Sequence, residues 1–341
     1  MFETSARLLG ALTYPRSIHD FLELVAPLHA SHEIRARVVD VRHETHDVAT
    51  LVLAPSRWRG HRPGQYVALT AEIDGVRRTR CFSIASAPSQ RGPIAITIKA
   101  QPGGAVTPSL VSAAMKGKVV VLSEAQGDFV LPRVLPERLL FLSGGSGITP
   151  VMSMLRALVA AGHTGTVVFV HHARSAADVI FREELAALAR RNVPGLSIVF
   201  RIGHFTEASL PDDVGTFETF ACGPAPFLAA VRASLRARGA EERLHEERFT
   251  LGPATESTEE GEVTFARSDK RAKGKGPLLV MAEQSGLTPK SGCRMGICRT
   301  CTCRKIAGAT RDLRTGEIST DANVDIQLCV SAPVGPVSID L

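Results

Sequence analysis

The stretch GCRMGICRTCTCRK, residues 292–305, constrains this chain more than any other. It sets four cysteines, Cys293, Cys298, Cys301 and Cys303, within eleven residues, and Cys329 follows Cys301 after 27 intervening residues. Five of the seven cysteines therefore fall after residue 290. Clustered thiols in a chain without a secretory leader point to metal or redox chemistry in a reducing compartment, not to a disulfide framework. The opening MFETSARLLGALTYPRSIHDFLELVAPLHA lacks the basic start, apolar run and cleavage site of a signal peptide, and it carries Glu3, Asp20 and Glu23. Its apolar residues recur at helical spacing (Leu8, Leu9, Leu12; Phe21, Leu22, Val25), which predicts a short helical extension over residues 1–32.

Spacing narrows the metal. Cys293, Cys298 and Cys301 read C-x4-C-x2-C, and with a distant Cys329 this is plant-type [2Fe-2S] spacing. A tight loop lets three thiolates reach one cluster while the fourth comes from an adjoining strand. Gly292 and Gly296 permit close backbone approach, so that N–H groups can bond sulfur. Zinc prefers paired C-x2-C knuckles on both sides, and Cys329 has no near partner to make the second. Cys303 stands two residues past Cys301 in an expected strand, where side chains alternate faces, and reads as a small buried apolar residue. Residues 262–341, including LLVMAEQSGL and QLCVS around the last cysteine, resemble a plant-type ferredoxin domain. That resemblance implies an α+β β-grasp fold with Cys293, Cys298, Cys301 and Cys329 as the metal ligands.

The other residues divide by pattern. A chain of 341 residues suggests two or three domains. Over residues 33–135 short alternating runs such as IRARVVDVRHE, GQYVALTAEI and PIAITIKA, bounded by Gly, Pro, Ser and Asp, predict a small antiparallel β-barrel. From residue 136 to 249 apolar strands alternate with helices, as in RLLFLSGGSGITPVMSMLRALVAAG, which predicts an α/β domain with a parallel sheet. Residues 250–261 are acidic and Gly/Pro-punctuated, and read as a linker. A net charge of +6 is scattered without basic–aromatic interleaving, which argues against nucleic acid as a partner. No run of ~18 apolar residues is present to span a bilayer.

RCFS, residues 80–83, stands between RPGQYVAL upstream and GGAVTPSL and GDFVLP downstream. Together these resemble the ferredoxin–NADP reductase superfamily and its R-x-Y-S flavin signature. The resemblance implies that Arg80 pairs with flavin phosphate, that Phe82 lies against the flavin, and that the Ser83 hydroxyl bonds flavin N5. Phe82 replaces the usual Tyr, which keeps stacking and loses a hydroxyl. GGAVTPSL, with Gly104, Val106 and Thr107, is placed to cradle phosphate at a helix start. It favours FAD over FMN, as does Phe249, placed to cover the flavin face.

SGGSGITP departs from G-x-G-x-x-G, since Pro150 holds the last glycine's place, but it resembles the superfamily's nicotinamide-domain turn. That implies a nucleotide site with Gly144, Gly145, Gly147 and Thr149. ACGPAPF resembles the second fingerprint, and implies Cys222, Gly223 and Pro224 beside the nicotinamide. Ser83 and Cys222 are the residues expected nearest the chemistry. After the next strand, Arg174, Ser175 and Arg182 suit a 2′-phosphate and favour NADPH, with NADH the alternative. His171 and His172 lack an acidic partner at triad spacing and read as structural.

Flavin, nicotinamide and iron–sulfur modules in series imply an NAD(P)H-dependent oxidoreductase that converts hydride into single electrons, the organic chemistry belonging to the cofactors. The acceptor is expected to be a terminal oxygenase. Residues 12–41 and 59–86 look like reductases serving membrane di-iron fatty-acid (acyl-CoA) desaturases. The alternative is the reductase of a ring-hydroxylating dioxygenase or demethylase, and a redox-sensing iron–sulfur protein comes behind both. The expected location is cytoplasmic, at the inner face of the membrane for a desaturase partner through peripheral association. Arg294, Arg299, Arg304 and Lys305 crowd the cysteine loop and suit either an acidic partner or bulk water.

Overall fold

Alternation sets the first sheet. In β1 (Ile34–Thr45) Ala36 and Val38 are fully buried while Arg37 between them is exposed. The computed structural model describes residues 33–89, 92–104, 106–249, 260–292, 294, 296 and 299–341. The expected extension over 1–32, most of the linker over 250–261, and Cys293 and Cys298 lie outside the described residues. After β1 come β2 (Val48–Pro55), β3 (Tyr66–Ile73), β4 (Val76–Ser83), β5 (Ile94–Lys99), the one-turn α1 (Thr107–Leu110) and β6 (Val119–Leu122). They form an antiparallel sheet in the order β4-β3-β6-β1-β2-β5. The sheet curls until its edges meet, with Ile84 just past β4 bridging Ile96 of β5. Its inner face is a core of Val67, Leu69, Ile84, Ile94 and Ile96.

The second unit alternates β7 (Arg138–Gly144), α2 (Ile148–Ala160), β8 (Thr166–Ala173), α3 (Arg182–Arg190), β9 (Leu196–Ile202), β10 (Glu218–Cys222), α4 (Ala225–Ala237) and β11 (Leu244–Glu247). All its strands run parallel in the order β11-β10-β7-β8-β9. Leu139, Leu140, Phe141 and Leu142 of central β7 are all fully buried, as a strand covered on both faces requires. The order places β7 and β10 side by side, so the loops after Gly144 and Cys222 leave the same edge of the sheet, at the strands' carboxyl ends.

The third unit has β12 (Gly261–Phe265), β13 (Lys270–Gly274), α5 (Leu278–Gln284), β14 (Thr302–Asp312), β15 (Ile318–Ser319), β16 (Val324–Gln327) and β17 (Ser331–Ile339). Its mixed sheet runs β13-β12-β17-β14-β15, with β16 pairing β14 and with β12 and β17 parallel. Leu278, Leu279, Met281 and Ala282 of α5 pack onto Val263, Phe265, Val337 and Ile339. The chain is thus multidomain: a curled antiparallel sheet, a parallel α/β sheet and an α+β unit, as its patterns predict. Among the described residues no helix is long and apolar enough to cross a membrane.

One basic residue departs from expectation. Lys305, grouped above with the charges around the cysteine loop, is fully buried. Its Nζ donates to the Ser319 carbonyl at 2.7 Å and lies 3.4 Å from both Thr310 Oγ1 and Ser319 Oγ. It ties β15 to β14 from within and presents no charge to a partner. Lys305→Ala removes a packed stem and strands a carbonyl, and is expected to cost roughly 2–3 kcal/mol of local stability. Native-state hydrogen exchange across β14 and β15 measures it.

Candidate functional site

β4 carries Arg80, Cys81, Phe82 and Ser83, held in register by β3, with Leu69 opposite Arg80 and Tyr66 opposite Ser83. Strand alternation sends neighbours to opposite faces. Ser83 is buried, and its Oγ makes no well-formed hydrogen bond to the described protein atoms. Phe82 is half-buried against the core of the curled sheet. Arg80 Nη1 donates to the Thr79 carbonyl at 2.8 Å and to the Gly292 carbonyl at 3.2 Å, a contact 212 residues away at the start of the cysteine loop. Across the curled sheet, Gln101 N–H donates to Thr107 Oγ1 at 2.8 Å and Gly104 N–H to the Gln101 carbonyl at 2.9 Å. These bonds close a compact turn ahead of α1, next to buried Val106.

The two glycine turns of the parallel sheet touch back to back. A Cβ on Gly147 would sit 2.2 Å from the Cys222 carbonyl oxygen, so only glycine fits there. Gly144, Gly145 and Gly147 line a cavity of about 640 Å³ with Arg174, Gly223, Pro224 and Phe249. Seven residues expected from sequence thus come together around one space. Thr149 stands beside it, buried, with Oγ1 donating to the Ser146 carbonyl at 3.1 Å. Ser175 and Arg182 do not line the cavity: Ser175 Oγ donates to Asp178 at 2.8 Å, and Arg182 Nη1 to the Ala176 carbonyl at 3.3 Å. His172 forms part of the wall, its ring packed on Phe205 and Phe227 at 5.7 and 5.5 Å. Burial lowers its pKa, and burial with the neighbouring His172 lowers His171 to about 3, so both rings are neutral at physiological pH. His171 Nδ1 lies 2.9 Å from Ser143 Oγ, in keeping with a structural role.

Two contributors escape sequence reading. Lys99, at the end of β5, reaches the same cavity from the curled sheet, with Nζ 2.8 Å from Asp47. Glu247, at the end of β11, pairs in register with Cys222. Glu247 is part-exposed as a residue, but its Oε2 is buried and makes no well-formed hydrogen bond among the described residues. Burial pushes its carboxyl up to about 8, against a smaller downward pull from Ser83. Cys222 is fully buried, and burial, then the Glu247 charge, raises its thiol well above the usual value. Ser83, Cys222 and Glu247 come from three separate strands, and at neutral pH none of the three is charged.

In the third unit Cys301 and Cys329 are buried together, and the Leu328 N–H donates to the Cys301 carbonyl at 3.1 Å. Gly296 N–H donates to Cys329 Sγ at 3.2 Å. Gly296 has φ +75°, and a Cβ there would meet Val330 at 2.8 Å. Arg314 donates to the Gly296 carbonyl at 3.1 Å while forking onto Asp312. Arg294 forks onto Glu283 of α5, at 3.0 Å for one bond. Cys303 points elsewhere, its Sγ donating to the Asp340 carbonyl at 3.3 Å against the core of this unit.

Three family models match in series: an oxidoreductase FAD-binding domain over residues 35–130, an oxidoreductase NAD-binding domain over 141–202, and a 2Fe-2S iron–sulfur cluster binding domain over 266–334. The chain is 38% identical over 350 residues to an NADPH oxidoreductase of Mycobacterium tuberculosis, covering 98% of this chain and 91% of that protein. It is 32% identical over 312 residues to the stachydrine N-demethylase reductase subunit of Rhizobium meliloti, covering 82% of this chain and 88% of that one. The solved structure of phthalate dioxygenase reductase matches with a TM-score of 0.64 at 21% identity, covering 91% of this chain and 98% of that one, a likeness of fold. This chain belongs to the ferredoxin–NADP reductase superfamily, in its branch with a 2Fe-2S domain.

The reductase is accordingly an NAD(P)H-dependent oxidoreductase with FAD, a [2Fe-2S] cluster and a pyridine nucleotide as cofactors, and its described residues fit all three. Buried Ser83 Oγ and Glu247 Oε2 make no well-formed hydrogen bond among the described residues, which leaves polar atoms open to a ligand such as a flavin. A backbone N–H aimed at Cys329 sulfur is the contact a thiolate ligand receives. The cavity at the carboxyl ends of the parallel strands has the volume of a small-molecule site and glycine backbone on its wall.

The raised Glu247 carboxyl has a consequence for stability. In the unfolded chain this group ionises near its ordinary value of 4.5, whereas in the fold it holds its proton up to about 8. Its contribution is therefore fully present below about 4.5 and is lost as pH rises to about 8. Glu247→Gln should flatten the fall in Tm across that window and leave the variant the more stable protein at the alkaline end. Thermal melts of the two proteins from pH 5 to 9 decide it.

Proposed function

We propose that this reductase draws electrons from NADPH and delivers them singly, through its cluster, to the oxygenase component of a demethylase- or hydroxylase-type system. Bound FAD supplies the conversion, accepting a two-electron hydride and passing electrons one at a time to a [2Fe-2S] cluster. Arg80 neutralises flavin phosphate, Phe82 lies against the ring system, and Gly104, Val106 and Thr107 cradle the remaining phosphate. Ser83 directs its hydroxyl to the flavin, and neutral Glu247 holds a proton beside it. Gly144, Gly145, Gly147 and Thr149 receive the nucleotide, and Cys222, Gly223 and Pro224 form the wall beside the nicotinamide. Phe249 covers the place the nicotinamide must enter. Cys293, Cys298, Cys301 and Cys329 ligate the cluster.

The observation that carries the electron path is the 3.2 Å bond from Arg80 to the Gly292 carbonyl. On this reading the residue that holds flavin phosphate touches Gly292, at the start of the cysteine loop, which supports a short path from flavin to cluster. NADPH is favoured because Arg174 lines the cavity, and because the Mycobacterium relative is named for it. Arg174, with Lys99, carries the nucleotide's negative charge; Ser175 and Arg182 serve the loop between them through Asp178 and Ala176.

An oxygenase acceptor is favoured by the N-demethylase reductase subunit among the relatives. A membrane desaturase draws no such support from the relatives compared, and with it goes the reason to place the protein at a membrane.

Reconstitution decides the acceptor: the FAD- and cluster-loaded protein with NADPH, tested against an N-demethylase oxygenase component and against a membrane desaturase, scored by product. Product from the oxygenase arm is expected; product from the desaturase arm alone would reverse the assignment. Arg299, exposed and in no salt bridge among the described residues, should matter to docking. Arg299→Glu is expected to slow transfer to the protein acceptor by about three- to tenfold while ferricyanide reduction holds.

A further inference from the structure

Residues 84–86 follow the Ser83 strand, and the carbonyls of Ala85 and Ser86 are gripped by the second unit. Ser153 Oγ donates to the Ser86 carbonyl at 2.7 Å, and Arg156 Nη1 donates to the Ala85 carbonyl at 2.6 Å. Both donors come from one face of α2, three residues apart. The same helix opens on the Gly145–Gly147 turn that lines the nucleotide cavity. One rigid element therefore holds the nucleotide turn at its start and the continuation of the flavin strand at its second and third turns.

Arg156 is itself fixed from two further sides. Its guanidinium forks onto Glu184 of α3, at 2.9 Å for Nε, and lies over the Phe181 ring at 4.7 Å. Phe181 precedes α3 with φ +58° and ψ +26°, a left-handed conformation that an aromatic residue rarely adopts. It is also buried, in a core shared with Val48 and Ala85 of the curled sheet. Strain kept at a buried position between two units marks a place where surrounding contacts over-determine the backbone. The Ser86 carbonyl has His61 Nε2 at 3.2 Å as well, and Ser86 Oγ accepts from the Ala95 N–H at 3.1 Å, so the segment is pinned on its own side too.

We propose that Arg156 and Ser153 are positioning residues for hydride transfer. They lock the segment beyond Ser83 to the helix that carries the nucleotide turn, and so set the distance between nicotinamide and flavin. The inference rests on the functional reading above, in which Ser83 lies at the flavin and that turn at the nucleotide. Hydride transfer is steep in distance, and a displacement of about 1 Å can cost up to about a hundredfold.

The test is stopped-flow reduction of the FAD-loaded protein by NADPH, and by NADPH deuterated at the transferred position, for wild type, Arg156→Ala, Arg156→Lys and Ser153→Ala. Arg156→Ala is expected to lower the limiting rate of flavin reduction by about tenfold and to raise the isotope effect. Nucleotide affinity should stay within about twofold and FAD content unchanged. Ser153→Ala should fall by about threefold, and Arg156→Lys, which keeps a donor for Ala85 without the fork on Glu184, should lie between wild type and Arg156→Ala. Hydrogen exchange at residues 84–86 should quicken in the variants with or without FAD. Limiting rates within about twofold of wild type in both Ala variants overturn the inference, as does a loss confined to nucleotide affinity. If Arg156→Ala does not fold, Ser153→Ala and Arg156→Lys decide by the same criteria. FAD-loaded wild type that NADPH does not reduce would overturn the functional reading and this inference with it; normal wild-type reduction with unaffected variants overturns this inference alone.

Discussion

A single stretch of backbone, residues 80–86, is in contact with all three units. On one side Arg80 reaches the Gly292 carbonyl at the cysteine loop, and on the other Arg156 and Ser153 hold the Ala85 and Ser86 carbonyls. Electron transfer in series needs three sites in fixed relation, and flexible tethers between rigid domains do not supply that. Here the relation is made by hydrogen bonds to main-chain carbonyls, which have no rotamers to lose. The strand can serve both neighbours because its own place is settled locally, by full pairing with β3 and by the bridge that closes the curled sheet.

The electrostatics of the central site follow from burial. Ser83, Cys222 and Glu247 sit where charge is disfavoured, and the two titratable members respond by holding their protons. His171 and His172 respond in the opposite chemical sense and to the same end, staying neutral. Among the described residues, Lys99 and Arg174 bring positive charge to the cavity wall.

The chain's periodicity carries its architecture openly. Period-two alternation marks the curled sheet, apolar strands alternating with helices mark the parallel one, and the cysteine spacing marks the third unit. The glycine turns were legible too, since glycine at Gly147 answers a backbone-to-backbone approach that no side chain permits. What stayed hidden depends on pairing between distant segments. Glu247 lies in HEERF, one acid among several, and nothing local distinguishes it. Its setting comes from parallel register with Cys222, 25 residues earlier. Lys99 ends an ordinary alternating strand and gains its place only when the curled sheet meets the parallel one. Ser175 and Arg182 show the converse: residue types suited to phosphate whose polar atoms are engaged nearby.

The cysteine loop shows how far a charged sequence can mislead about a surface. Four basic residues crowd it in sequence, yet Lys305 is buried, Arg294 is forked onto Glu283, and Arg304 lies 3.6 Å from Asp325. Arg294 and Arg299 also adopt left-handed backbone, with φ of +60° and +54°, at a cost of roughly 1–2 kcal/mol per residue for a side chain bearing Cβ. Glycine would avoid that cost, so the arginines must return something glycine cannot. At Arg294 the return is visible as a clamp onto α5, which fastens the loop to the domain core. Internal pairing thus consumes much of the loop's positive charge, and what a docking partner can read is the charge left over, at Arg299 above all.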